Sequence, residues 1–158
     1  MSLWDAIAAG LLQGLLEWLP VSSSGQVSLY YSLLVGVSPI VAYKLGMASH
    51  LGTALSGVIV LRRELASALR GGPWFRVVVV PTLAALPVGW LVSQSVEDVN
   101  GDVLNALIGL MLLATAGLLS LSTRGSRRVG DLRPHHLVVV GVLEGLAAVP
   151  GLSRSGVT

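Results

Sequence analysis

Residues 12–25 read LQGLLEWLPVSSSG, and residues 143–156 read LEGLAAVPGLSRSG. Each stretch has a leucine, then a glutamine or glutamate, then Gly-Leu, and each reaches a proline before ending in a serine-rich turn closed by Ser-Gly. Allowing for a shift of one residue, the two stretches share one design. A polar break inside an apolar segment is typical of a helix tip that faces protein or a cavity rather than lipid.

The chain around this repeat has the composition of a membrane protein. Of its 158 residues, 53% are hydrophobic and 11% are charged, and the mean hydropathy is +0.79. A soluble domain carries about twice that share of charge. The net charge of +2 comes from arginine clusters between apolar runs, which predicts membrane loops and no nucleic-acid partner. The sequence has no cysteine, which excludes disulfides and thiol nucleophiles.

The apolar runs predict an all-α polytopic membrane protein, with a single membrane domain over residues 1–158. We expect a re-entrant helical hairpin over residues 3–35, because neither of its halves is long enough to cross a bilayer. Residues 137–158 are predicted to form the first arm and the tip of a second re-entrant hairpin. The predicted transmembrane helices cover residues 41–61, 77–92 and 103–121.

The charged loops predict the orientation of these helices. Loops 62–76 and 122–136 each contain four arginines, whereas loop 93–102 contains three acidic residues and no cation. The positive-inside rule places the first two loops in the cytoplasm and the third outside. Three spans separate the repeated stretches, so their hairpins enter from opposite faces. This predicts an inverted-topology repeat, its second copy incomplete, with two tips that meet near the midplane.

The first tip carries several candidate site residues. Glu17 is an intramembrane carboxylate, which is costly and therefore indicates function, either in holding a divalent cation or in handling a proton. The alternative is a carboxylate at a helix end that touches water. Gln13 lies one helical turn earlier on the same face. Ser22, Ser23 and Ser24 either cap the next helix or donate to a phosphate, with one of them as a nucleophile.

The second tip adds an arginine to this chemistry. Arg154 is a candidate phosphate ligand, because a guanidinium binds phosphate oxygens through paired hydrogen bonds. The alternative is an ordinary arginine in a cytoplasmic loop. Glu144 either lines the site or pairs with Arg154. His50, inside the predicted span 41–61, either hydrogen-bonds a neighbouring helix or acts as an acid or base. Together the tips predict a shared phosphate site.

Both tips carry motifs of a known family. Residues 13–25 and 150–158, the latter reading PGLSRSGVT, resemble the glutamate-rich motif and the PGxSRSGxT motif of the undecaprenyl-diphosphate phosphatases, the bacitracin-resistance phosphatase family. The stretch SHLGT at residues 49–53 and the pair Arg62-Arg63 also resemble this family. The resemblance runs over the whole chain.

The resemblance implies a multi-pass phosphatase of the plasma membrane. Such an enzyme hydrolyses undecaprenyl diphosphate, or another polyprenyl diphosphate, to the monophosphate and inorganic phosphate, and so recycles the lipid carrier for cell-envelope glycan synthesis. The implied cofactor is a divalent cation, Mg²⁺ or Ca²⁺. The implied partners are the polyprenyl diphosphate substrate and the lipid bilayer, and a homo-oligomer is left open.

Carried over by position, the resemblance also implies residue roles. Glu17 matches a catalytic or metal-associated glutamate, Ser23 a proposed nucleophile, and Arg154 the arginine that holds the diphosphate. The remaining residues assigned to substrate binding are Gln13, Ser22, Ser24, Gly25, Gln26, His50, Ser153, Ser155, Gly156 and Thr158.

The chain departs from the family pattern in two respects. The family's first motif often has glutamate where Gln13 stands and histidine where Gln26 stands, so a histidine-led mechanism would need His50 to supply the imidazole. Family members continue well past the second motif, which implies a chain truncated there. Two other classes stay open: an inverted-repeat transporter or lipid flippase for an anionic substrate, and a non-catalytic structural fragment.

Overall fold

The computed structural model describes residues 1–71, 74–121 and 132–154. Within these ranges the chain forms seven α-helices and a π-helical turn, and it forms no strand. The helices are α1 (Leu3–Leu16), α2 (Ser23–Leu29), which continues into the π-helical turn Tyr30–Leu34, α3 (Pro39–Val60), α4 (Arg62–Leu69), α5 (Trp74–Glu97), α6 (Gly101–Leu121) and α7 (Pro134–Leu146).

The long helices are those of a membrane protein. α5 and α6, with 24 and 21 residues, are each long and apolar enough to cross a bilayer. α3 and α4 meet the same criterion as a pair, although the chain bends by 83° between them. With 22 residues, α3 extends about 33 Å, which matches a hydrocarbon core about 30 Å thick. Large apolar side chains such as Leu121 (81% exposed) cover the outer faces. The predicted all-α membrane fold is confirmed.

Each predicted span falls on one helix, and α5 departs furthest from its predicted range. It begins three residues before residue 77 and ends five residues after residue 92, and it runs through both Pro81 and Pro87. The extension includes Ser93 and Ser95, whose hydroxyls donate to carbonyls inside the same helix. Because these bonds satisfy the polar groups locally, the serines continue the helix instead of ending it. The orientation in the membrane stays a prediction.

α1 and α2 form a short helical hairpin against α3. A capping box starts α1: the Asp5 amide donates to Ser2 Oγ at 3.2 Å, and the Ser2 amide donates to the Asp5 carboxylate at 2.5 Å. α1 has 14 residues and extends about 21 Å, less than the bilayer core. The chain then turns through residues 17–22, and α2 packs on α3. The tip of this hairpin therefore lies beside the interior of α3.

α7 packs against α5 through small residues. A Cβ added to Gly141 would clash with the carbonyl oxygen of Pro81, and one added to Gly145 would lie 2.6 Å from Val88 Cβ. Close approach over small residues is how membrane helices commonly associate. α7 has 13 residues, so it also ends before it could cross a bilayer. Because α7 packs on α5, the loop that follows it, residues 147–154, lies towards the protein interior.

Candidate functional site

Three neighbours surround one carboxylate oxygen at the tip of the first hairpin. Glu17 is the C-cap of α1, and its Oε2 accepts from Gln13 Nε2 at 2.5 Å and from Ser23 Oγ at 2.8 Å. His50 Nε2 lies 3.3 Å from the same oxygen. Since Gln13 belongs to α1, Ser23 to α2 and His50 to α3, the carboxylate is the point at which these three helices meet.

The ring orientation of His50 is set by its own helix. His50 Nδ1 lies 3.1 Å from the carbonyl oxygen of Gly46. A carbonyl oxygen can only accept, so this contact favours the tautomer with the proton on Nδ1. The other ring nitrogen, Nε2, is left facing Glu17. The two groups lie 3.3 Å apart.

Ser22 has an unusual backbone conformation at the same tip. Its φ is +55°, and it is the one non-glycine residue of the described ranges with a positive φ. Residues other than glycine rarely adopt a positive φ, and those that do are concentrated at functional sites. Ser22 is buried, and its hydroxyl has no hydrogen-bond partner among the described residues. A strained residue with an unused hydroxyl indicates a place where a ligand supplies the missing partner.

A small polar cavity of about 110 Å³ lies between the two tips. That volume has room for a few water molecules, so a phosphoryl group can enter it. The first hairpin and α3 supply one part of the lining and the loop after α7 supplies the other. The lining residues are Glu17, Leu19, Ser22, Ser23, Ser24, His50, Leu152, Ser153 and Arg154.

Two glycines bring the tips into contact. A Cβ added to Gly25 would lie 2.7 Å from Gly151 Cα and 2.8 Å from Gly151 N, so the two loops touch backbone to backbone. Gly151 has a φ of +97°, and a Cβ there would clash with the carbonyl oxygen of Ile108 in α6. Only glycine both adopts this backbone conformation readily and fits into the space beside Ile108.

Thr115 of α6 holds the second loop from behind. Its Oγ1 donates to the Gly151 carbonyl oxygen at 3.1 Å and accepts from the Ser153 amide at 3.0 Å. The side chain is buried, with 2% of its surface exposed. Thr115 was not among the residues predicted for the site. A single threonine in an apolar span shows no spacing pattern that would tell whether its hydroxyl bonds to another segment or only to its own helix.

Most of the predicted site residues line the cavity, but some lie elsewhere. Gln13 reaches Glu17 from one helical turn away and does not line the cavity. Gln26 Nε2 donates to the Val21 carbonyl at 3.0 Å, so this side chain stabilises the first loop. Glu144 lines a separate cavity between α5 and α7, together with Thr82. The predicted residues Ser155, Gly156 and Thr158 lie outside the described part of the chain.

The cavity provides few ligands for a metal ion. Within the described residues, no three His, Cys, Asp or Glu side chains come close enough to hold one. The acidic oxygens at the cavity come from Glu17, beside the hydroxyls of Ser22 and Ser23. Mg²⁺ is commonly bound by one or two carboxylates together with phosphates of the substrate. The donors present therefore fit a cation that binds with a phosphate, rather than one held by protein ligands alone.

Comparisons with known proteins agree with the motifs at the two tips. The model of the family described as Bacitracin resistance protein BacA matches residues 6–158. The undecaprenyl-diphosphatase of Methanopyrus kandleri is 34% identical over 174 residues, and that of Haloarcula marismortui is 37% identical over 175 residues. These matches cover 100% and 97% of this chain and 63% of each relative.

A third relative shows the same coverage. The undecaprenyl-diphosphatase of Christiangramia forsetii is 33% identical over 169 residues, which are 100% of this chain and 63% of the relative. The chain thus spans less than two thirds of the length of these relatives. No solved structure matches it. The family match takes in both tips and everything between them, and the chain therefore belongs to the BacA family.

Proposed function

We propose that this chain carries the phosphate site of a polyprenyl-diphosphate phosphatase of the plasma membrane, which converts undecaprenyl diphosphate to the monophosphate and inorganic phosphate. The observation that carries the proposal is the cavity between the tips, which Glu17, Ser23 and Arg154 line together. The relatives named above are described as undecaprenyl-diphosphatases. Nothing among them supports the transporter alternative.

The cavity suits the end of a diphosphate better than a whole lipid. Its volume of about 110 Å³ holds the terminal phosphoryl group, while the prenyl chain stays outside among the apolar helix faces. Arg154 lines this cavity, and its guanidinium group would bind phosphate oxygens. The hydroxyl of Ser22, which has no partner in the described structure, is a further donor. Binding therefore rests on groups from both tips.

The contact between Ser23 and Glu17 suits phosphoryl transfer. Ser23 Oγ donates to Glu17 Oε2, so Glu17 takes the proton as Ser23 attacks the terminal phosphorus. The bond from that phosphorus to the bridging oxygen breaks, and polyprenyl monophosphate leaves. A water molecule then attacks the phosphoserine and releases inorganic phosphate. His50, 3.3 Å from Glu17, shares the proton that moves in each step.

A divalent cation is part of the proposal as a cofactor. Glu17 and the neighbouring serine hydroxyls would hold Mg²⁺ or Ca²⁺ together with the substrate. When bound, the ion supplies positive charge that offsets the charge of the diphosphate.

Release of inorganic phosphate from undecaprenyl diphosphate in detergent tests the function. The protein is used in the longest form that its gene encodes, with Mg²⁺ and with a chelator in parallel. We expect one inorganic phosphate and one polyprenyl monophosphate for each diphosphate consumed, and little release in the chelator. Recovery of chemically unchanged substrate, moved across the bilayer of a sealed vesicle, would instead establish the transporter.

The contact between the two tips makes its own prediction. We expect Gly25→Ala to slow phosphate release about 100-fold, because a Cβ at this position pushes the Gly151 backbone away and misplaces Arg154 by a fraction of an ångström or more. The matched control is Gly14→Ala in the same hairpin, where nothing lies within 4 Å of the added Cβ. Similar initial rates for the two variants would show that the tips need not touch.

A further inference from the structure

Thr115 differs from other threonines in the helices of this protein. A threonine in a membrane helix commonly donates to a carbonyl of the preceding turn. Thr82 does so with the Val78 carbonyl at 2.6 Å, and Thr53 does so with the His50 carbonyl at 3.0 Å. The Thr115 hydroxyl instead leaves its helix and bonds to Gly151 and Ser153, both more than 35 residues further along the chain.

These two bonds need a hydroxyl group. Gly151 offers a carbonyl acceptor and Ser153 an amide donor, so the side chain between them must donate and accept at once. A hydroxyl provides one donor and two acceptor lone pairs on a single atom. Valine has the same shape as threonine but provides neither, whereas serine provides both. The site therefore distinguishes these substitutions by chemistry rather than by volume.

The bonded segment leads directly to the phosphate site. Ser153, whose amide bonds to Thr115, is followed by Arg154, and both residues line the cavity. Gly151, whose carbonyl bonds to Thr115, is the residue that touches Gly25 of the first tip. One buried hydroxyl thus connects to both the residue before the arginine and the contact between the tips.

We infer that Thr115 is a positioning residue for the phosphate site. Its hydroxyl fixes residues 151–153 against α6, and this sets where Arg154 stands relative to Glu17 and Ser23. Without it, the buried Ser153 amide and the Gly151 carbonyl each lose a partner, and the loop shifts to regain one. The inference rests on the proposed function in one respect, namely that the ligand of the cavity is a phosphate.

The test compares Thr115→Val, Thr115→Ser and the matched control Thr82→Val. Two measurements are made in detergent: the dissociation constant of inorganic pyrophosphate, and the steady-state kinetics (kcat and KM) of phosphate release from undecaprenyl diphosphate. The melting temperature without ligand is recorded for each variant. We expect Thr115→Val to bind pyrophosphate about tenfold more weakly, as for one lost buried hydrogen bond. Its kcat/KM should fall about 100-fold.

The two other variants make the result specific to the hydroxyl. Thr115→Ser should stay within about threefold of the unmodified protein in both measurements, since serine keeps the donor and the acceptor. Thr82→Val should leave both unchanged. The inference is overturned if Thr115→Val binds pyrophosphate as the unmodified protein does, or if Thr82→Val shows an equal loss. It is also overturned if serine does not restore binding, or if the loss only follows a fall in melting temperature.

Failure of the proposed function has a different signature. If the unmodified protein binds pyrophosphate but releases no phosphate from the lipid, the proposed function fails and the pyrophosphate comparison still decides the role of Thr115. If it binds no pyrophosphate at all, the cavity is not a phosphate site and both proposals are overturned.

Discussion

Glu17→Gln is expected to lower the rate of phosphate release by about 10³-fold, within the range of 10²–10⁴ typical for loss of a general base. Glu17 Oε2 accepts from Gln13 and Ser23 and faces His50. An amide has nearly the same shape as the carboxylate, but it cannot take the Ser23 proton and brings two donors of its own. The initial rate with saturating undecaprenyl diphosphate measures the effect.

The matched control for this substitution is Glu144→Gln. Glu144 is also a carboxylate on an apolar helix, but it lines a different cavity, and in the repeat it corresponds to Gln13 rather than to Glu17. We expect this variant to keep a rate within about twofold of the unmodified protein, as for a change outside the reacting groups. A Glu17→Gln protein that stays as active as Glu144→Gln would remove the carboxylate from the mechanism.

Arg154→Ala is expected to lower kcat/KM by about 10²–10³-fold, the cost of removing one group that stabilises transition-state charge. Arg154 is the cation of the cavity lining, and its guanidinium can bind two phosphate oxygens at once. Arg154→Lys keeps the charge but loses the paired geometry, so we expect it to recover only part of the activity. The measurement is kcat/KM for the lipid diphosphate, compared among the unmodified protein, Arg154→Ala and Arg154→Lys.

The control for charge is Arg133→Lys, an exposed arginine that precedes α7 and lies outside the cavity. This variant should match the unmodified protein in both kcat and KM. If Arg154→Lys were equally active, charge alone would account for the role of Arg154. If Arg154→Ala were equally active, the phosphate would have to be bound by the hydroxyls and backbone amides of the tips.

The repeat was the most informative part of the sequence. Two stretches of similar design, with an odd number of apolar runs between them, predict tips that share one site, and a cavity in the described part of the chain is lined from both tips. The apolar runs also predicted helices close to α3, α5 and α6. These features are readable because each depends on residues that are neighbours along the chain or that recur at a fixed spacing.

Contacts between distant residues were not readable in the same way. Thr115 and Gly151 are 36 residues apart, and no local sequence pattern around either residue predicts their hydrogen bond. Gln26 was assigned to substrate binding from its place in the motif, whereas its side chain bonds to the Val21 carbonyl. The 83° bend between α3 and α4 also follows no proline or glycine pair. Each depends on which groups meet once the helices pack.

The shortness of α7 has a consequence for how the protein is made. A helix of 13 residues is too short to cross the bilayer by itself. During synthesis it therefore needs another helix to pack against. That helix is α5, where the clefts above Pro81 and Val88 receive Gly141 and Gly145. A nascent chain that ends after α6 has every wall of the pocket except the one bearing the arginine. The cavity lined by both tips is therefore complete only once α7 has docked.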